Sequence, residues 1–263
     1  MSYAIALPLG GYAGWTLLQR TMAAQKAALA AQPEVKRDEA YFRERIGSIS
    51  TAEQLVSDRR LLKVALEAFG LGEDIDNRYF IRKVLEDGTL KTGALANRLA
   101  DKTYQKLSAA FGFGDFSTPR TRLSTFADEI LAAYRARSFE TAVGAQDDNM
   151  RLALNAQREL QGLAAKPSSE NTKWYTVLGD TPLRRVFETA LGLPAAFGKL
   201  DVDRQLSMIR QKAREQLGSD SIGQFTEPAA VDRLVRRFIT RSQIADLATV
   251  SSPAQVALTL LQR

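Results

Sequence analysis

The sequence predicts an all-α protein, namely a multi-helix globular domain with two pseudo-repeated helical lobes and a longer N-terminal helix or arm. Three observations predict this class. Apolar residues recur at i, i+3, i+4 and i+7 in nearly every segment, which is the spacing of one helix face. Runs of alternating β-branched residues, which are typical of strands, are absent from the sequence. Capping residues and glycines stand where such helices would begin and end.

The N-terminal arm and helix are predicted over residues 1–32, before a single all-α domain over residues 33–263. The arm has no Lys or Arg before its apolar run, so we expect no cleavable signal peptide. Pro8 and Gly10 interrupt the run, which is too short to span a bilayer. Such an apolar segment must be buried against its own domain or against another chain. Its candidate partner-binding residues are Tyr12, Trp15, Leu17 and Leu18.

Lobe one is predicted over about residues 33–118. Thr51–Gln54 has the pattern of a capping box, which marks a helix start. The next segment, Asp58–Leu71, has an apolar stripe at helical spacing. The predicted core positions of this helix are Leu61, Val64, Phe69 and one of Ala65 and Leu66, and the predicted exposed positions are Arg59, Arg60 and Lys63.

Two long helices, near residues 119–143 and 146–165, are predicted to link the lobes. Thr118 before Pro119 offers a side-chain oxygen cap, and proline suits the first helical position because that N–H has no partner inside the helix. After the second long helix, the segment 165–173 ("AKPSSENTK") is the best linker candidate, since Pro, Ser and Asn favour loops.

Lobe two is predicted over about residues 170–263. The same cap signal recurs at Thr181-Pro182 and at Ser252-Pro253. The clearest apolar stripe of this lobe lies within Val231–Ile244 and indicates a helix with one buried face. The residues of this stripe are Val231, Leu234, Val235, Phe238 and Ile239.

One phrase occurs in both lobes. "DRRLLKVALEAFGL" begins at Asp58 and "DTPLRRVFETALGL" begins at Asp180, with the same residue at six equivalent positions. We predict that Gly70 and Gly192 both lie just past a helix end with positive φ, which glycine adopts without a Cβ clash. Internal duplication and convergence of capping and packing residues both explain the matches, so both interpretations stay open.

The composition excludes several classes of active site. The 263 residues include no cysteine and no histidine, so thiolate nucleophiles, zinc-thiolate sites and Ser-His-Asp triads cannot form. The motifs "DID" at Asp74–Asp76 and "DVD" at Asp201–Asp203 lack the Gly and Glu that an EF-hand loop requires. "GLGEDI" and "FGFGDF" lack the ending of a phosphate-binding loop. We therefore predict no catalytic residue, no cofactor and no metal, and a protein that is not an enzyme.

The net charge of +6 arises from 36 basic and 30 acidic residues, with no long basic block. The best basic candidate is "DRLVRRFITR", where four arginines share a helix face opposite the apolar stripe. Such a face could contact phosphates or an acidic protein. We favour solvent or an acidic protein, because the segment lacks the turn context of a helix-turn-helix reader. These arginines are Arg233, Arg236, Arg237 and Arg241.

Several stretches resemble the domain-of-unknown-function family numbered 1217. The strong resemblance covers about residues 35–115 and includes "STAEQLVSDRRLLKVALEAFGL", "DIDNRYFIRKVLEDGT" and "ANRLADKTYQKLSAAFGFG". "FTEPAAVDRLVRRFITRSQ" is a second, weaker stretch. The resemblance implies an all-α fold and carries over no catalytic residue. Members occur mostly in alphaproteobacteria, frequently in or beside flagellar gene clusters, so the resemblance also implies a connection with the flagellum.

We therefore expect a non-enzymatic structural or assembly protein associated with the bacterial flagellum, acting through protein–protein contacts. Its partners would be proteins, flagellar components among them. The alternative is a nucleic-acid-binding or regulatory helical protein that uses the basic helix face. We expect the protein in the bacterial cytoplasm, or exported through the flagellar apparatus, and the sequence leaves its oligomeric state open.

Overall fold

A computed structural model describes the backbone of residues 5–250 and the side chains of residues 5–246. Within this range the regular elements are thirteen α-helices and five short 3-10 helices, without a β-strand. The all-α prediction is confirmed. No helix among the described residues is both long and apolar enough to cross a membrane.

The helices follow one another with short connections. The α-helices are α1 Gly11–Ala30, α2 Pro33–Arg45, α3 Ala52–Ser57, α4 Arg59–Phe69, α5 Arg78–Asp87, α6 Leu95–Arg98, α7 Thr103–Phe111, α8 Phe126–Gly144, α9 Asp148–Ala164, α10 Glu170–Gly179, α11 Thr181–Leu191, α12 Val202–Leu217 and α13 Pro228–Val250. The 3-10 helices are Ile46–Ser48, Gly72–Asp74, Arg120–Arg122, Phe197–Lys199 and Ile222–Thr226.

The described chain forms two compact units. Unit 1 holds Ile5 and residues 21–142, and unit 2 holds residues 6–20 and 143–250. The division falls inside α1 and near the end of α8 rather than in the predicted linker, 165–173. That segment belongs to unit 2, where the buried Lys173 donates a hydrogen bond from Nζ to the Ala164 carbonyl at the end of α9 (2.9 Å).

The core of unit 1 is built around α4, which packs against α2, α3 and α7. Leu61 and Val64 are fully buried as predicted, and so are both Ala65 and Leu66, of which only one was predicted. The prediction for Phe69 is wrong: it ends the helix and is only partly buried against the core. Arg59 and Arg60 are exposed as predicted. Lys63 is half-buried instead, because Asp38 and Glu34 hold its ammonium group.

The core of unit 2 is formed by α9, α11 and α13, which pack against one another. The rings of Trp174 and Phe187 meet edge to face with centroids 5.3 Å apart, and Phe187 meets Phe225 in the same way at 5.7 Å. The stripe predicted for α13 is entirely buried. Unit 2 thereby leaves the opposite face of α13, with its arginines, at the surface.

The two repeated phrases form helices of equal length with matching ends. Asp58 and Asp180 are the N-caps of α4 and α11, and each carboxylate accepts a hydrogen bond from the backbone N–H three residues later. Gly70 (φ +77°) and Gly192 (φ +61°) end the two helices in the left-handed conformation, which confirms the prediction. The caps follow from local sequence, and the pseudo-repeat of whole lobes stays a prediction.

Other helices begin where the local sequence predicts in some cases and elsewhere in others. Thr51 caps α3 in the predicted capping box with Gln54. The first linking helix, α8, begins at Phe126 rather than near residue 119. The reason is tertiary, because the buried Thr121 donates a hydrogen bond to the Ile49 carbonyl (2.6 Å) and holds a separate 3-10 turn. The α11 cap is Asp180 rather than Thr181, and the predicted start at Ser252-Pro253 lies outside the described residues.

Candidate functional site

The best candidate site is an open cleft of about 500 Å³ on the surface of unit 2. α13 forms one side of it, because burial of the apolar stripe turns the arginine face outward. The last residues of α12 form the other side. We call this the basic cleft, and its lining residues are Gln216, Leu217, Arg233, Arg236, Arg237, Thr240 and Arg241. The structure therefore brings all four sequence-predicted arginines into one cleft.

Arg237 forms the floor of the basic cleft. Its Nε donates a hydrogen bond to the Ala190 carbonyl (2.8 Å), and its guanidinium also donates to Oε1 of Gln216. Gln216 in turn donates from Nε2 to the Leu191 carbonyl (2.8 Å). These bonds satisfy two carbonyls at the C-terminal end of α11, which have no acceptor role inside that helix. Arg237 therefore supports the fold as well as the charge of the cleft.

Arg241 lies at the inner end of the basic cleft and is half-buried against Gly192. A Cβ atom at Gly192 would overlap the Arg241 guanidinium, with a separation of 2.1 Å from one of its nitrogens. The left-handed φ favours glycine at this position, and a Cβ there would also displace the end of the flexible Arg241 side chain.

Arg233 and Arg236 are the exposed members of the basic cleft. The Arg236 guanidinium lies over the ring of Tyr12, 5.0 Å from its centroid, in a cation–π arrangement. This contact joins the cleft to the start of α1, where Tyr12 and Leu9 are also exposed. The two guanidinium groups remain free to meet an anionic group from solution.

The arginines of the basic cleft differ from those of the neighbouring helices in their charge pairing. Every arginine of α9, α11 and α12 has a carboxylate oxygen within 4.0 Å, as when Arg210 and Arg214 share Asp220. None of the four arginines of α13 has such a partner among the described residues. Residues 1–4 and 247–263 contain no Asp or Glu side chain that could supply one.

The predicted partner-binding arm is largely packed into unit 2. Trp15 and Leu18 are buried, with 6% and 0% of their surface exposed, so they are not accessible to a partner in this conformation. Gly14 allows this packing, because it has no Cβ and the Met150 methyl group of α9 lies close to it. Leu17 is half-buried, and Tyr12 is exposed.

Two further clefts on the described surface hold carboxylates that already have partners. In one, bidentate hydrogen bonds from Arg210, with a further one from Arg214, lower the pKa of Asp220. In the other, the Tyr41 hydroxyl donates to Asp58 (2.6 Å), which raises the pKa of Tyr41. Asp58 is committed to capping α4. Within the described residues, no cluster of three or more acidic groups could hold a metal ion.

The family model described as "Protein of unknown function (DUF1217)" matches residues 68–231, which is more than half of the chain. The chain belongs to the DUF1217 family. The predicted family resemblance is confirmed. The match ends at Val231, so it does not include the four arginines of the basic cleft.

A solved structure shares the fold of this DUF1217 chain. It is the crystal structure of protein AGR_C_984 from Agrobacterium tumefaciens, with a TM-score of 0.74 and 25% sequence identity. The similarity covers 92% of this chain and 99% of that chain. No curated protein matches the sequence. The comparisons therefore establish the family and the fold.

Sequence reasoning missed several residues of the basic cleft. Gln216, Leu217 and Thr240 line it, and Tyr12 borders it through Arg236. The only signal for Gln216 was its place near a helix end, just before Gly218. The sequence marks Tyr12 only by its apolar character and does not indicate its contact with Arg236 of α13.

Proposed function

We propose that this protein is a non-enzymatic structural or assembly protein that acts through protein–protein contacts made by the basic cleft. The supporting observation is the set of four arginines on one face of α13 without a carboxylate partner among the described residues. Neighbouring like charges on a helix face destabilise the helix by a few tenths of a kcal/mol each. An acidic partner would remove this repulsion on binding.

Packing alone does not explain these arginines. In unit 1, Arg137 of α8 lies against the left-handed Gly70, as Arg241 of α13 lies against Gly192 in unit 2. With Arg241 of α13 matched to Arg137 of α8, the two helices can be compared position by position. Where α13 has Arg233, Arg236 and Arg237, α8 has Glu129, Ala132 and Ala133 at the matching positions. Of the four arginines of α13, only Arg241 thus has an arginine at the matching position of α8.

We further propose that the process is flagellar assembly, as the gene neighbourhood implied by the family resemblance suggests. A strain that lacks the gene is expected to swim poorly and to carry fewer or incomplete flagella under the electron microscope. Complementation with the wild-type gene should restore both. A fully flagellated, normally swimming deletion strain would refute the flagellar role.

The proposed location is the bacterial cytoplasm or, after export through the flagellar apparatus, the cell exterior. Immunoblots of cell and medium fractions distinguish the two, with a strain that lacks the export apparatus as control. Protein in the medium of wild-type cells only would indicate export. Protein that remains in a membrane or periplasmic fraction would contradict both locations.

The alternative function is nucleic-acid binding or regulation through the same cleft, which the arginine set also favours. Gel-shift assays with mixed-sequence DNA at two salt concentrations test this alternative. Binding driven by phosphates must strengthen as salt falls, because fewer counterions oppose complex formation. Absence of a shift at low salt would eliminate the alternative.

A further inference from the structure

The basic cleft has an apolar border that its charge alone does not require. Tyr12 has 38% of its surface exposed beside the exposed guanidinium of Arg236, and Leu9, three residues earlier in the chain, is 52% exposed. Exposed apolar side chains beside unpaired charges are typical of a surface that contacts both kinds of group. The border therefore carries information about the partner beyond its negative charge.

The geometry of the cleft suits a short segment. Arg233 and Arg241 are eight residues apart on α13, which corresponds to about 12 Å along the helix axis. Arg237 already donates to the end of α11 and Arg241 is half-buried beside Gly192, so two exposed guanidinium groups remain for a partner. Two carboxylates one helical turn apart match these two groups, which are themselves one turn apart.

Nucleic acid fits this surface less well. Sequence-independent binding of single strands uses a groove that follows the backbone and several aromatic side chains on which bases stack. The described lining of the basic cleft has no aromatic side chain, and Tyr12, which borders it through Arg236, offers a single ring. The chain's own residues 247–263 have no Asp or Glu and cannot supply the acidic groups.

We infer that the basic cleft binds a short amphipathic segment of a protein partner. Two carboxylates of this segment meet Arg233 and Arg236, and one apolar side chain packs on the exposed Tyr12. This inference rests on the proposed function and adds the chemistry of the partner to it. It predicts that charge and apolar character of the partner segment both contribute to affinity.

The first test varies the probe against the full-length protein. The probe is a fluorescein-labelled helical peptide of about 14 residues with Glu pairs one turn apart and a central Leu, measured by fluorescence anisotropy. Replacing Glu by Gln should weaken binding about tenfold, and replacing Leu by Ala about threefold, the scale of two exposed ion pairs and of one apolar contact. Equal affinity for the Glu and Gln peptides would overturn the inference.

The second test compares two protein variants that each lose two positive charges. Arg233→Gln with Arg236→Gln should weaken binding of the Glu/Leu peptide about tenfold. The matched control is Arg185→Gln with Arg204→Gln, two exposed arginines of α11 and α12 in the same unit that lie outside the cleft. The control should change affinity less than about twofold. Equal losses from both pairs would show an effect of net charge alone and refute the site.

A third variant isolates the apolar border. Tyr12→Ala should weaken binding of the Glu/Leu peptide about threefold and leave binding of the Glu/Ala peptide nearly unchanged, because only the former has a side chain to pack on the ring. Circular dichroism melts of all variants check that each is folded. A Tyr12→Ala loss that is the same for both peptides would contradict the predicted apolar contact.

Two other occupants are distinguished in the same experiments. Single-stranded DNA of equal charge that binds more tightly than the Glu/Leu peptide would overturn the inference in favour of nucleic acid. Light scattering that shows a dimer, lost in the Arg233→Gln/Arg236→Gln variant, would assign the cleft to a second copy of this chain. Weaker DNA binding and an unchanged mass support the inference.

The failures of the two proposals can be told apart. Peptide selectivity as predicted, together with normal motility of the deletion strain, would remove the flagellar function and keep the cleft chemistry. No peptide selectivity, together with loss of motility on complementation with the Arg233→Gln/Arg236→Gln variant, would remove the cleft chemistry and keep the flagellar function.

Discussion

Lys63 is a charged residue that takes part in the packing of unit 1. Its Nζ lies 3.0 Å from Oδ2 of Asp38 and 3.0 Å from Oε1 of Glu34, which ties α4 to α2. Burial acts to lower the pKa of Lys63, but the hydrogen bonds to the two carboxylates outweigh it and raise the pKa. Asp38 is itself buried, so it depends on this ammonium group and on Arg60 for compensation.

Lys63→Met is therefore expected to lower the free energy of unfolding by about 1–3 kcal/mol, because Asp38 stays buried with a weaker set of partners. The matched control is Arg59→Met, whose ion pair with Asp76 is exposed and should contribute about 1 kcal/mol or less. Urea denaturation followed by circular dichroism measures both. Equal losses in the free energy of unfolding would show that the contact with buried Asp38 contributes no more than the exposed ion pair.

Glu67, one turn after Lys63, makes a separate pH prediction. Burial raises the pKa of Glu67, and Lys63 opposes the shift while Asp38 and Glu34 add to it. The folded state thus binds a proton more tightly than the unfolded chain, so stability falls as pH rises from the unfolded pKa to the raised folded pKa. At neutral pH, Glu67→Gln should raise the free energy of unfolding.

The measurement for Glu67→Gln is a set of urea titrations between about pH 4 and pH 7, the range that begins at the ordinary pKa of a glutamate. The gain over the wild type should be larger at pH 7 than at pH 4. Glu73→Gln is the control, because Glu73 is exposed. A gain that does not depend on pH would contradict the titration of Glu67.

At the scale of elements, helix ends show how one local rule has different consequences in different surroundings. Gly192 (φ +61°) and Gly218 (φ +83°) both end helices in the left-handed conformation. A Cβ at Gly218 would meet no atom within 4 Å, whereas a Cβ at Gly192 would overlap Arg241. The local strain is shared, and the packing conflict belongs to Gly192 alone.

Gly218→Ala should accordingly cost about 1–2 kcal/mol, the scale of left-handed strain. Gly192→Ala should cost at least as much, and its Cβ should also displace the Arg241 guanidinium within the basic cleft. Thermal melts give the stabilities, and the Glu/Leu peptide reports on the cleft. Identical losses of stability, with unchanged peptide affinity, would show that Arg241 moves aside freely.

At the scale of the whole molecule, residues 6–20 belong to unit 2 and contribute to its core. Trp15 and Leu18 are buried, whereas Tyr12, one turn before Trp15 on the same helix, is exposed. A buried tryptophan contributes a large apolar area, so its removal leaves a cavity that the surrounding helices cannot fill. The same short helix stretch thus has a stabilising side and an accessible side.

Trp15→Ala should lower the free energy of unfolding by about 3–5 kcal/mol. Tyr12→Ala should lower it by about 1 kcal/mol or less, because the ring is exposed and its cation–π contact with Arg236 lies at the surface. Urea denaturation monitored by circular dichroism compares the two without relying on tryptophan emission. A small loss for Trp15→Ala would mean that unit 2 does not depend on this segment.

The sequence by itself determined the helical class and many helix ends. The caps at Thr51 and Asp58 and the stops at Gly70 and Gly192 were all readable, because each depends on atoms within a few residues. The buried stripe of α13 was readable for the same reason, since its period is a local property of the helix. The outward direction of the four arginines followed from that stripe.

Only the tertiary structure decided which groups meet across the chain. The contact of Tyr12 with Arg236 joins residues that are far apart in sequence. The late start of α8 and the burial of Lys173 each depend on contacts with a neighbouring element. Whether an arginine has a carboxylate beside it depends on the same long-range packing. Capping and periodicity are local, whereas burial and charge pairing are set by the fold as a whole, and the unbalanced basic cleft is a property of the latter kind.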